Sequence, residues 1–156
     1  MKLREHVLRL LARREHSQFE LKRKLIAKTY DPNEVDSVLH TLAEEGLQSD
    51  ARYTACYVRT RIEAGFGPRR IMMELRQRGI SDSLIYKHLP QDSEFWWQAL
   101  LSVWQKKYAR GRTINLTTHI KAARFLIQRG FEPELVYQLL RDKSLSPNSP
   151  DEAERC

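Results

Sequence analysis

The stretch FGPRRIMMELRQRGIS (residues 66–81) decides how this chain is organised. It carries four arginines among apolar positions and ends in Arg-Gly followed by an apolar residue. The stretch TTHIKAARFLIQRGFE (residues 117–132) has the same ending, 51 residues further along the chain. A segment that recurs at a fixed spacing is typical of a protein built from repeated structural units.

Around these stretches, apolar residues recur with helical spacing almost throughout, and no segment shows sustained strand-like alternation. Start and stop signals are frequent: Ser17 and Glu20 form a predicted capping box, and Asp31 precedes a proline at a predicted first helical position. Glycines suited to a left-handed C-cap follow three of the predicted helices, at Gly46, Gly79 and Gly130. The pattern predicts nine helices, at about residues 2–14, 18–28, 32–45, 50–64, 68–78, 82–89, 93–109, 118–129 and 133–141.

The nine predicted helices fall into three groups of three. Gly79 aligns with Gly130 at a spacing of 51 and with Thr29 at a spacing of 50, so the first copy is the least regular. We therefore expect an all-α fold of three tandem three-helix repeats forming an elongated stacked helical array. The expected boundaries are residues 1–48, 49–91 and 92–142 for the repeats and 143–156 for a flexible, Ser/Pro/acid-rich tail.

The chain is basic, with a net charge of +7 over its 156 residues. The last fourteen residues carry a net charge of −1, so the predicted helical body carries +8. Such a charge favours binding to a polyanion, above all DNA. On a helical wheel, Arg69 and Arg70 point away from the apolar face of residues 68–78, and Arg76 flanks that face. The predicted DNA- or filament-binding residues are Arg69, Arg70, Arg76, Lys106, Lys107, Arg110, Arg112, Lys121 and Arg124.

An arginine-rich outer face is also typical of a helix that is simply solvated, so each of these residues has a purely structural alternative. The tryptophans have two interpretations as well, since exposed rings can stack on nucleobases. The stripe Trp97, Leu100, Leu101, Trp104 and Tyr108 has the spacing of buried positions, which leaves Trp96 as the tryptophan predicted to lie nearer the surface.

Nothing in the sequence indicates catalysis. The five histidines are scattered, Cys56 and Cys156 are far apart, and neither a zinc pattern nor a phosphate-binding glycine loop occurs. We therefore expect no enzyme activity, no metal and no cofactor. No apolar run approaches the length of a membrane span or of a secretory signal, so a cytoplasmic location and no membrane contact are expected.

The residues EEGLQSDARYTACYVRTRIEAGFGPRRIMMELRQRGIS (44–81) resemble the RecX family of regulatory proteins, modulators of the RecA recombinase. The resemblance extends to SQFELKRKL (17–25) and KAARFLIQRGF (121–131), and it covers about residues 1–142. The positions that match the family pattern are Gly46, Asp50, Tyr53, Gly67, Ile71, Glu74, Leu75, Gly79 and Ile80. Gln48, Ser49 and Arg78 depart from it, replacing an apolar residue, an acid and a lysine.

This resemblance implies a non-catalytic regulator that binds the RecA–DNA filament, lies in its groove and inhibits its recombinase, ATPase and coprotease activities. It places the protein in homologous recombination, DNA repair and the SOS response. The implied partners are RecA and single- and double-stranded DNA, with a monomer as the expected state. Two other classes are a helix-turn-helix transcription regulator and a pure protein-binding scaffold. No base-reading recognition helix is identifiable for the first, and the second does not require so basic a body.

Overall fold

In the computed structural model, which describes residues 2–108 and 116–144, those residues form nine helices and no strand. The helices are α1 (Lys2–Arg13), α2 (Gln18–Ala27), α3 (Pro32–Glu44), α4 (Asp50–Glu63), α5 (Pro68–Gln77), α6 (Asp82–His88), α7 (Ser93–Tyr108), α8 (Leu116–Gln128) and α9 (Pro133–Ser144). Every bound lies within three residues of the predicted one, so the all-helical prediction is confirmed.

The helix starts are fixed locally by capping side chains. Ser17 Oγ accepts a hydrogen bond from the Glu20 N–H at 3.1 Å, and the Glu20 carboxylate accepts one from the Ser17 N–H at 3.1 Å. This capping box contributes about 1 kcal/mol to the stability of α2. The Asp31 carboxylate accepts from the Asn33 N–H at 3.2 Å, with Pro32 at the first helical position of α3. The predicted caps are therefore confirmed at both starts.

The repeat is visible in the backbone conformation after the middle helix of each copy. Gly79 and Gly130 have φ angles of 77° and 101°, in the left-handed region that glycine occupies without strain. Thr29, which takes their place in the first copy, also has a positive φ of 68°. The three copies thus end this helix in the same way, although the first copy does so with a β-branched residue.

The described chain divides into two compact units. The first contains the residues up to Thr60 together with Met73–Leu89, and the second contains Arg61–Met72 together with the residues from Pro90 onward. In the first unit α1, α2 and α3 enclose a buried cluster made of Leu3, Val7, Leu21, Leu25, Val35, Leu39 and Leu42.

Gln48 stands where the family pattern has an apolar residue, and it is buried, with 2% of its surface exposed. Its side-chain amide forms hydrogen bonds with Gln18, His16 O and Asp50. Ser49 caps α4 by accepting from the Arg52 N–H at 3.1 Å.

The core of the second unit is built mainly from α7, α8 and α9. One face of α7 is buried at every fourth residue, through Trp96, Leu100, Trp104 and Tyr108. The prediction that Trp96 is the tryptophan nearest the surface is wrong, because Trp96 is 5% exposed and Trp97 is only partly buried. The Trp96 indole N–H donates to Pro90 O at 2.7 Å, so its one polar group is satisfied inside the core.

Candidate nucleic-acid interface

Three arginines surround the ring of Phe66 in the second unit. The guanidinium carbons of Arg61, Arg129 and Arg70 lie 3.7, 4.4 and 4.7 Å from its centroid. The negative face of an aromatic ring attracts such cations, and each contact contributes about 0.5–1 kcal/mol at an accessible site. We call Phe66 and these three arginines the Phe66 cluster.

The backbone explains why residues so far apart in sequence meet here. The Gly67 N–H donates to Arg129 O at 2.7 Å, and the Arg69 N–H donates to Gly130 O at 3.0 Å. A β-carbon on Gly67 would lie 2.5 Å from the Gly130 carbonyl carbon, so only glycine permits this approach. The start of α5 is thereby joined to the end of α8, and both arginine-bearing segments reach Phe66.

Arginine side chains of the Phe66 cluster also bind backbone oxygens. Arg129 donates to Ala64 O at 2.9 Å, and Arg70 donates to Gln128 O at 3.2 Å. These bonds orient the two guanidinium groups beside the ring. The cluster therefore holds three guanidinium groups close together around Phe66.

A second ring extends this positive region. Lys107 Nζ lies 3.5 Å from the centroid of Phe125, and the Arg129 guanidinium carbon lies 5.0 Å from it. Arg129 thus contacts both Phe66 and Phe125 and links Lys107 to the Phe66 cluster. Groups of lysine and arginine at an accessible surface are the chemistry that binds nucleic-acid phosphates.

The structure gives different surroundings to the predicted binding residues. In the second unit, Arg69 Nε lies 3.5 Å from the Glu132 carboxylate. In the first unit, Arg76 Nε lies 2.9 Å from the Asp82 carboxylate. The hydrogen bond that Arg76 donates to the Asp82 carboxylate raises the pKa of Arg76. Both arginines are exposed, but each is already paired with an acid.

Other predicted residues lie on the second unit without such a carboxylate. Lys106, Lys121 and Arg124 are exposed, and over residues 2–108 and 116–144 none of them pairs with an acidic side chain. Arg110 and Arg112 lie outside the described residues. The structure therefore brings Arg70 and Lys107 together around Arg129, whereas it places Arg76 in the other unit.

Sequence reasoning missed Arg61, Phe66 and Arg129. A signal for Arg129 was present, because it belongs to the repeated Arg-Gly ending. Its counterpart 51 residues earlier, Arg78, also packs over an aromatic ring, with its guanidinium carbon 5.0 Å from the centroid of Tyr57. The arginine of this ending thus contacts a ring in both copies that carry it.

A groove lies beside Phe125, with a volume of about 700 Å³. It runs between the end of α4, one side of α7 and the end of α8, all within the second unit. Its walls combine apolar rings with cations, chiefly Phe95, Val103, Lys106, Lys107, Phe125 and Arg129. In this groove, cations and apolar surface face one space.

The first unit contains a polar cluster of a different kind, in which an exposed arginine binds a partly buried glutamate. Arg14 binds Glu20 through both carboxylate oxygens, at 3.3 and 3.1 Å. Burial raises the pKa of Glu20, but hydrogen bonds from Arg14 and the Ser17 backbone outweigh that effect, and the net pKa is lowered. The ion pair therefore holds Glu20 in its charged form.

His16 is 2% exposed and lies next to this pair. Its Nδ1 is 3.0 Å from Arg14 O, and its Nε2 is 3.1 Å from Lys24 Nζ. Since a carbonyl oxygen only accepts and an ammonium only donates, Nδ1 carries the proton and Nε2 accepts. Burial lowers the pKa of His16, and the charges of Arg14 and Lys24 lower it further. The imidazole is thus kept neutral.

The described residues hold no group of three or more His, Cys, Asp or Glu side chains placed to bind a metal ion. None of the helices in that part of the chain combines the length and apolar character that a bilayer-spanning segment requires.

These observations define a class: a helical protein of repeated three-helix units whose second unit gathers cations over aromatic rings. Comparison with known families is consistent with that class. The models of the first, second and third three-helix domains of RecX match residues 4–42, 49–89 and 93–140. The chain belongs to the RecX family, and its fold is three three-helix domains in tandem, as predicted.

Individual relatives agree. A regulatory protein RecX of Halorhodospira halophila is 40% identical over 86% of this chain and 83% of its own length. That of Pseudomonas entomophila is 40% identical over 92% of both chains. Among solved structures, a regulatory protein RecX has a TM-score of 0.75 at 28% identity, covering 90% of this chain and 70% of its own. RecX from Lactobacillus salivarius has a TM-score of 0.76 at 20% identity, covering 93% of this chain and 96% of its own, and it shows the shared fold. The protein is therefore a member of a family of regulatory proteins.

Proposed function

We propose that this protein binds the RecA nucleoprotein filament and modulates its recombinase, ATPase and coprotease activities by occupying the filament groove. The observation that carries the proposal is the gathering of Arg61, Arg70, Lys107 and Arg129 over two rings, in a chain whose relatives are named regulatory proteins. A filament on DNA offers these cations both phosphates and protein surface.

Occupancy, rather than chemistry, is the proposed mode of action. The family name indicates regulation, and a regulator that fills a groove needs charge and shape but no catalytic group. We further propose that the protein acts as a monomer in the cytoplasm and contacts DNA with the cations of its second unit. The net charge of +7 would speed its association with a polyanionic filament.

The direct test is the ATPase activity of RecA on single-stranded DNA, measured while this protein is titrated in. Occupancy predicts that inhibition grows in proportion to the fraction of filament sites filled and saturates when they are full. Disassembly of filaments by trace amounts, far below one protein per site, would contradict the mechanism. An ATPase rate that never changes would contradict the proposed function itself.

Charge variants locate the binding surface. Replacing Lys121 and Arg124 by Glu should weaken DNA binding and inhibition, chiefly at low salt, because the exposed carboxylates would repel phosphates. Lys22→Gln, in which the lost lysine pairs with Asp36 at 2.8 Å in the first unit, is the control and should behave as the parent. The double reversal removes four units of positive charge and Lys22→Gln removes one, so effects in that proportion would show that only the total charge matters.

Salt dependence separates the paired arginines from the unpaired cations. Each lost phosphate contact should reduce the slope of log affinity against log salt by about 0.7 on single strands and 0.9 on duplex DNA. Lys121→Gln and Arg124→Gln should each approach that value. Arg76→Gln should fall well short of it, because Asp82 already binds the Arg76 guanidinium. The reverse order would exclude the proposed surface.

A further inference from the structure

We infer that the groove beside Phe125 binds an unpaired base of single-stranded DNA, with Phe95 as the stacking ring and the groove cations on the adjoining phosphates. This inference deepens the proposed function by naming the form of DNA that the second unit recognises. It is carried by the composition and geometry of the groove walls.

The size and shape of the groove suit a nucleotide segment. Its volume of about 700 Å³ lies in the range of small-molecule sites. Its walls come from three different segments of the second unit, so the groove depends on the folded unit rather than on one helix. Gln98 and Ser102 on α7 add an amide and a hydroxyl, which can bond to the edge of a base.

The charges in the groove match a polyanion. Lys106, Lys107 and Arg129 line it together with a single acid, Glu63, so the lining carries a net charge of +2. Lys106 and Lys107 follow each other near the end of α7, and Arg129 follows the end of α8. Phosphates on either side of a bound base could therefore meet cations from two separate elements.

Phe95 is the ring best placed for stacking. Its side chain is 38% exposed, and its edge-on contact with buried Trp96, at 5.1 Å between centroids, holds it in position. The other rings are less suitable, because Lys107 already lies over Phe125 and because Phe131 is 1% exposed. Bases stacked inside a duplex have no free face, so only an unpaired base can use Phe95 in this way.

The test measures binding to DNA alone, without the recombinase. Fluorescence anisotropy would compare three labelled probes of equal length: a single-stranded oligothymidylate, a duplex, and a single strand of abasic phosphodiester. The parent protein should bind oligothymidylate at least about 5-fold more tightly than the abasic strand, the low end of the known effect of one base–aromatic stack. Phe95→Leu should remove this preference while leaving duplex binding unchanged.

Three further variants control for folding and charge. Phe95→Trp keeps a stacking surface and should retain the preference for bases. Tyr137→Leu removes another exposed ring, on α9, and should change nothing. Lys106→Gln should weaken binding to all three probes by similar factors, since phosphates are common to them. Circular dichroism would verify that each variant retains its helices.

Several results would overturn the inference. Two of them are that Phe95→Leu binds every probe as the parent does, and that it weakens binding to duplex and single strand equally. A third is that Phe95→Leu leaves DNA binding intact but lowers the inhibition of RecA, which would assign the groove to a protein contact. A failure of the proposed function is distinguishable, because the protein would then not inhibit RecA whatever its oligonucleotide binding.

Discussion

The replacement Phe66→Leu tests whether one ring stabilises three like-charged side chains. Leucine keeps the side chain apolar but removes the ring faces that Arg61, Arg70 and Arg129 contact at 3.7–4.7 Å. At about 0.5–1 kcal/mol for each contact, the three would sum to about 1.5–3 kcal/mol. Because the cations share one ring and leucine retains some packing, we expect the free energy of unfolding to fall by about 1–2 kcal/mol.

Urea denaturation followed by circular dichroism measures this loss. Tyr137→Leu is the matched control: it removes a ring that is 50% exposed in the same unit, and its cost should stay within about 0.5 kcal/mol. Added salt offers a second measurement. Without the ring the arginines repel one another, and salt screens that repulsion, so Phe66→Leu should gain more stability from salt than the parent does.

The reasoning would be refuted if Phe66→Leu and Tyr137→Leu lowered stability equally. In that case the cation–ring contacts would contribute nothing beyond ordinary apolar burial. A loss that did not respond to salt would point to packing alone, rather than to the charges gathered around Phe66.

The remaining predictions concern the backbone and a buried histidine. Thr29→Gly should raise the free energy of unfolding by about 0.5–1 kcal/mol in urea melts. The positive φ strains threonine by about 1–2 kcal/mol, and replacing it by glycine removes that strain. The greater conformational freedom of glycine in the unfolded chain offsets only part of this gain. Gly67→Ala should destabilise by about 1–3 kcal/mol in the same assay, since its β-carbon would meet Gly130 at 2.5 Å, and a melt like that of the parent would contradict the close approach. The pKa of His16 in the folded state lies below the unfolded value of 6.5. The contribution of His16 to the free energy of unfolding is therefore complete above about pH 6.5, and it declines as the pH falls toward the folded-state pKa. Urea melts at about pH 7 and pH 5 should show this decline in the free energy of unfolding for the parent, and a smaller decline for His16→Ala. Equal declines would mean that protonating His16 beside Lys24 does not destabilise the fold.

The sequence predicted those features of the fold that depend on residues close together along the chain. Helix bounds follow from apolar spacing and from caps such as Ser17 and Asp31, whose hydrogen bonds close within three residues along the chain. Left-handed glycines at the ends of helices are local in the same sense, which is why Gly79 and Gly130 were recognised. Spacing also identified the repeats, although the tertiary structure was needed to show that Thr29 adopts the same conformation as those glycines.

The sequence could not determine which side of α7 is buried. Trp96 and Trp97 differ by 100° on the helix, and apolar residues accompany both, so periodicity favoured Trp97. The contact of Trp96 with Phe131, at 6.5 Å between centroids, and its hydrogen bond to Pro90 O decide the matter. Both depend on where α7 packs, and that is a property of the tertiary structure.

By itself, then, the sequence determined the nine helices, their threefold repetition and an excess of positive charge. Only the tertiary structure decided which charges act together. Arg69 pairs with Glu132 across 63 positions of sequence, whereas Arg129 joins Arg70 over Phe66 across 59. A helical wheel gives the direction in which a side chain leaves its helix, but it does not give the residue that this side chain contacts. That residue is determined by backbone contacts between distant segments, such as the hydrogen bond from the Gly67 N–H to Arg129 O.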